Sequence, residues 1–195
     1  MALTTTPGTR QRLLDIAVRL FARHSFAGTS LQMIADELGV TKAAVYHHFH
    51  SREELLNAVI QPLVEQLQTI VAAAETQRSR HARAEQMLTG YADLVVRNQG
   101  LMGVLGGDPG VIDMLRAGDL ARLTDRQLSL LAEVNPGPGG LVKAAMVLAG
   151  IAGAAGHGLV GVDDDTLREH LIEGGRRTLG LRPPRSPVPL QGRRV

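Results

Sequence analysis

Apolar residues recur at helical spacing through most of the chain. Residues 9–24, TRQRLLDIAVRLFARH, place Leu13, Leu14, Ile16, Ala17, Leu20 and Phe21 on one side, with Arg10, Arg12, Arg19 and Arg23 largely elsewhere. That is the pattern of a helix with one buried face. The segment SFAG interrupts it. TSLQ then fits a capping box, in which the Thr29 hydroxyl accepts from the N–H three residues on and Gln32 reaches back to the N–H of Thr29. A second helix carries Leu31, Ile34, Ala35 and Leu38 on one side, and Gly39 ends it where a left-handed residue is cheapest. Thr41 is a good N-cap for a third helix running to about His48. Two helices joined by a short glycine-containing turn are the signature of a helix-turn-helix. A second capping box, Ser51 with Glu54 in SREE, starts a fourth helix. Its apolar positions Leu56, Ile60, Leu63, Leu67, Ile70, Val71 and Ala74 keep helical period, and Pro62 inside it removes one backbone bond and bends it.

Beyond residue 80 the pattern predicts helices near 82–98, 109–117, 119–134, 139–160 and 164–179, separated by NQG, GGDPG and NPGPGG. No stretch alternates with period two, so the expected class is all-α. The expected organisation is a three-helix helix-turn-helix domain over 1–55 (motif about 30–49), a second helical domain over 56–180, and a proline- and arginine-rich disordered tail over 181–195.

Composition narrows the function. The chain has 195 residues, 44% of them apolar, enough for a globular core. There is no cysteine, which excludes disulfides, thiolate zinc sites and a cysteine nucleophile and suits a reducing cytoplasm. The N-terminal residues lack the charged-then-apolar pattern of a signal peptide. Residues 144–162 are long enough to span a bilayer, but they are mostly Ala and Gly and carry His157, so no membrane partner is expected. The net charge of +2 misleads, because residues 176–195 hold six arginines and no acid. Without them 15 basic residues face 19 acidic ones. Bulk charge therefore does not point to nucleic acid; placement has to.

In the third helix Val45 and Phe49, spaced i and i+4, pack inward, which turns Lys42, Ala43, Ala44, Tyr46 and His47 outward. A cation beside two methyl-sized side chains suits a helix entering a DNA major groove: Ala can touch a thymine methyl, and Lys can reach guanine or phosphate. Tyr46 and His47 are long enough to bond flanking phosphates. Thr29, Ser30 and Arg52 stand at helix N-termini, where free N–H groups favour an anion. A plainer reading stands beside each of these: Thr29, Thr41 and Ser51 as caps only, Tyr46 as a packing residue, Lys42 as a solvated charge. His47, His48 and His50 point in different directions on one turn and do not converge on a metal. No metal site, cofactor or catalytic residue is expected; a nucleophile elbow, a phosphate loop and a dinucleotide fingerprint are all absent from the sequence.

Residues 10–60 resemble the N-terminal domain of the tetracycline-repressor (TetR) family. The likeness runs through the LF of the first helix, TS…IA…LGV of the second, T-K-x-x-x-Y-x-H-F and the SREELL that follows. Ser25 stands where that family usually has glycine after the first helix, and Ala43 where glycine is common. The resemblance implies an all-helical homodimer that binds a palindromic operator on double-stranded DNA, usually as a repressor, and that a small molecule releases; residues 56–180 would then be a helical ligand-binding and dimerisation domain. It also implies DNA contacts at Thr29, Ser30, Thr41, Lys42, Ala43, Ala44, Tyr46, His47 and Arg52.

In the second half, Gly and Ala crowd residues 149–158, and so many small residues on a helix imply that another backbone packs close. With the final helix this is a candidate subunit interface, loose packing within one subunit being the alternative. Leu63, Leu67, Met87, Tyr91, Val95, Met102, Leu105, Met114, Leu115 and Met146 are the candidates for an apolar, adaptable effector pocket. The competing class is a helical enzyme or small-molecule sequestration protein built on the same fold.

Overall fold

The computed structural model describes residues 8–107, 109–116 and 119–182. Among them are ten helices: α1 (Thr9–Gly28), α2 (Leu31–Leu38), α3 (Lys42–Tyr46), α4 (Arg52–Glu75), α5 (Arg80–Arg97), α6 (Gln99–Gly107), α7 (Pro109–Arg116), α8 (Asp119–Ala132), α9 (Pro138–Gly156) and α10 (Asp164–Leu179). No strand occurs among the described residues. The all-α expectation is correct.

The caps explain where the first helices begin and end. Ser51 Oγ accepts from Glu54 N–H at 3.0 Å, Thr41 Oγ1 from Ala44 N–H at 3.3 Å, and Gly39 closes α2 at φ 72°. At α2 the register differs from expectation by one residue. The N-cap is Ser30, whose Oγ accepts from Met33 N–H, while Thr29 is buried and donates its hydroxyl to the Ser25 carbonyl at 2.8 Å. Gln32 turns instead to Asp36. Starting the helix at Leu31 places Leu31, Ile34 and Ala35 in the core, and that burial decides the register.

α1 contains the break expected at SFAG. Ser25 sits at φ 63°, ψ 167°, a conformation that is nearly glycine-only, and its Oγ accepts from Gly28 N–H at 3.2 Å. The strain is worth about 1–3 kcal/mol. Ser25→Gly removes it at an entropic cost of roughly 0.5–1 kcal/mol, and water replaces the exposed hydroxyl bond. The expected result is a gain of about 1 kcal/mol in denaturant unfolding; a loss would mean that the hydroxyl outweighs the strain.

α4 passes unbroken through Pro62 and packs on α5 and α8. α6 departs from expectation. It lies between the expected separators NQG and GGDPG, where no helix was expected, yet Gly103 and Gly156 bring the α6 and α9 backbones together. A Cβ on either would lie 3.1 Å from backbone atoms of the other helix. Part of the small-residue run in α9 therefore serves packing within the chain, while Gly150 and Gly153 meet nothing within 4 Å. α6 also packs on α1.

α10 is capped by Asp163, which accepts from both the N–H and the hydroxyl of Thr166. The Thr166 N–H bond is the main cause holding this carboxyl below its ordinary pKa. Arg176 to Glu85 and Arg168 to Asp93 tie α10 to α5. Packing reaches beyond the expected domain end, because Leu181 is buried. The expected basic tail otherwise lies outside the described residues from 183 on. α9 is long and apolar enough to cross a bilayer by length and composition, but it packs against α6, α8 and α10.

Candidate nucleic-acid interface and internal cavity

The first four helices share one core: Phe21, Ile34, Val45, Phe49, Leu55 and Leu56 are buried together. Val45 and Phe49 thus anchor α3 as expected. Lys42, Ala43, Tyr46 and His47 are exposed and Ala44 is half-buried. Lys42 Nζ lies 5.5 Å above the Tyr46 ring, so the cation is held over the outward face by the ring's negative surface. Ser30, Lys42, Tyr46, Ser51 and Arg52 border one shallow depression, fed by the N-termini of α2 and α4. Ser51 and Gln32 belong to this rim and were not among the expected contacts, although the SREE box already placed Ser51 at a helix start.

Two expected contacts need correction. Thr29 is 1% exposed and spends its hydroxyl inside the domain. Arg52 points back into the protein. Its Nη1 donates to the carbonyls of Phe26 (3.1 Å), Ala27 (2.8 Å) and Thr29 (3.0 Å), and its guanidinium lies 5.1 Å over the Phe26 ring. It clamps the head of α4 to the turn between α1 and α2. The histidines do not converge: His48 is half-buried and meets the His47 ring edge-on. No group of metal-ligating side chains forms among the described residues.

The second feature is a cavity of about 560 Å³ bounded by residues of α4 through α9. It gathers Leu63, Leu67, Tyr91, Val95, Met102, Leu105 and Leu115 from the expected set. Met87 is fully buried core away from its wall. Met146 is 62% exposed on the outer face of α9 and lies on a groove against α10, outside the cavity wall. The side chain of Met114 lies outside the described residues. Leu94, Leu120, Thr124, Gln127, Gly153 and His157 also line the wall. Helical periodicity marks such residues as buried or polar and carries no sign of a shared void. Burial among apolar groups pushes the Tyr91 phenol up to about 12, so it stays neutral at physiological pH.

A capped helix-turn-helix with a solvent-facing third helix, followed by helices that enclose a cavity, defines a helix-turn-helix protein with a helical second half. Residues 13–59 match the family described as bacterial regulatory proteins, tetR family. Over this segment the chain is similar to TetR-family regulators. Among curated relatives, the transcriptional repressor KstR2 of Rhodococcus jostii is 37% identical over 60 residues, 31% of this chain and 29% of that protein. The probable acrEF/envCD operon repressor of Escherichia coli is 33% identical over 103 residues, 50% of this chain and 46% of that protein. The chain thus spans less than half the length of either relative. Among solved structures, the ketosteroid transcriptional regulator KstR2 of Mycobacterium tuberculosis aligns with a TM-score of 0.72 at 15% identity, over 90% of this chain and 95% of that one. AmtR of Mycobacterium smegmatis aligns with a TM-score of 0.65 at 23% identity, over 94% and 92%. At these identities the likeness is one of fold alone.

Proposed function

We propose that the chain is a cytoplasmic, homodimeric transcriptional regulator, not an enzyme, that represses from a palindromic operator and is released by a small apolar effector. Residues 1–55 serve DNA and 56–180 serve the effector and the partner subunit. The observation that carries this reading is the outward set of α3: one cation, two alanine methyl groups, a phenol and an imidazole on a helix whose opposite side is fully buried. Ser30 and Thr41 complete the DNA-facing set.

The dimer reading is supported by the outer faces of α9 and α10. Leu141, Val142 and Met146 are more than half exposed there, next to the open glycines Gly150 and Gly174. An apolar stripe beside glycines lets two helix pairs approach closely. Effector release is supported by the cavity and by α6, which lines it and packs on α1.

Selecting bound sequences from random duplexes with purified protein tests the proposal. The expected outcome is an enriched palindrome whose half-sites lie about 34 Å, one helical turn, apart or a multiple of it. Enrichment of an asymmetric single site would overturn the dimeric reading, and no enrichment would overturn DNA recognition. An apolar compound that raises the melting temperature should also weaken binding to the selected duplex; stabilisation without release would remove the effector role.

A further inference from the structure

The described wall of the cavity is mostly apolar, and one of its few polar side chains has a buried amide nitrogen with no partner. Gln127 is 3% exposed, and its Nε2 is buried without a hydrogen-bond partner among the described residues. A sealed amide donor left unmet is costly, and native proteins rarely keep one without use. Its polar neighbour Thr124, one turn back on α8, already spends its hydroxyl on the Leu120 carbonyl at 2.9 Å. Tyr91 across the wall also has no hydrogen-bond partner among the described residues. No Asp, Glu, Lys or Arg lines the cavity among the described residues, and His157, its one imidazole, is exposed.

These facts limit what can bind. Among the described residues of the wall, a carboxylate or ammonium stripped of water would meet no opposite charge. A pure hydrocarbon would fill the space and leave the Gln127 donor unmet, which is how a polar group in an apolar site rejects an analogue lacking its partner. Resting on the reading that this cavity takes the effector, we infer that the effector is an uncharged, mainly apolar molecule bearing a carbonyl or similar neutral acceptor, read by the Gln127 amide. Hydrocarbon packs on Leu63, Leu67, Val95 and Met102, and Tyr91 supplies a second neutral polar group. Gln127 is thus a specificity determinant, while the apolar wall provides most of the affinity.

Three probes of one ring system and nearly one size separate the possibilities: 2-acetylnaphthalene, 2-ethylnaphthalene and 2-naphthoate, titrated into the full chain at pH 7.5. The expected order is ketone about tenfold tighter than hydrocarbon, with the carboxylate weakest. In Gln127→Leu and Gln127→Met the ketone should lose its advantage, and the hydrocarbon should bind as well as or better than in the parent. If neither variant folds, the ranking on the parent chain still decides. Ketone and hydrocarbon binding alike in the parent would overturn the role of Gln127 while leaving an effector cavity in place. Tightest binding of the carboxylate would overturn the neutral class. Binding of none of the three would overturn the effector reading itself.

Discussion

A variant in which Lys42, Tyr46 and His47 are all alanine should bind its selected operator duplex at least about 100-fold more weakly than the parent, with melting temperature and helical content unchanged. The three side chains are exposed on α3 and its C-cap, and none takes part in the core that Val45 and Phe49 anchor, so the fold does not depend on them. Each good base contact is worth about 1–3 kcal/mol of discrimination, and removing one phosphate-binding side chain lowers the salt slope of binding by roughly one unit. The two effects can be separated. Lys42→Ala alone should relax sequence preference if Lys42 reads a base edge, and should weaken all duplexes alike if it grips phosphate. Fluorescence anisotropy on the selected duplex and on a scrambled one, at several salt concentrations, measures both. A folded triple variant with affinity within threefold of the parent would refute the assignment of α3.

Arg52→Ala should lower stability by about 2–3 kcal/mol. Nη1 holds three backbone carbonyls, and the guanidinium covers the Phe26 ring. Hydrogen bonds from a charged group are worth about 1.5–3 kcal/mol each at full burial, and the side chain here is 34% exposed, so the total is discounted for screening. Arg52→Lys should recover only part of the loss, because an ammonium cannot span three carbonyls and stack on a ring together. Urea unfolding of the full chain gives the energies, and DNA titration gives the role. A clamp leaves the salt slope of operator binding unchanged in Arg52→Lys. A change of stability below about 0.5 kcal/mol, the range of ordinary surface substitutions, would show that Arg52 is one more solvated charge.

Much of the DNA-facing half was legible because its chemistry is local. A cap acts over three residues, a left-handed glycine acts on its own turn, and an inward pair at i and i+4 dictates what points outward. Thr41, Ser51, Gly39, Val45 and Phe49 all took their expected places on those grounds. The misplacement of the α2 cap shows where local rules stop. TSLQ satisfies the capping box at Thr29, but burying Leu31, Ile34 and Ala35 together favours a start one residue later. Arg52 follows the same logic: its position at a helix start suggested an anion, whereas its partners lie 23 to 26 residues earlier in the chain.

The second half was legible only as helices, and even there α6 escaped. A glycine-rich segment has poor helix propensity; the close approach of Gly103 to Gly156, residues far apart in the chain, gives it a partner. Periodicity separates buried from exposed positions, and Met87 and Met102 look alike by that measure. One is solid core and the other borders the cavity.

By itself the sequence determined the helical class, the caps of α3 and α4 and the outward face of α3, because each depends on interactions within about one helical turn. The tertiary structure alone decided which buried residues enclose empty space, that Met146 lies outside, that Arg52 turns inward and that Gln127 is left with an unmet donor. Those outcomes depend on which helix faces meet, and nothing within a single turn of the chain records that.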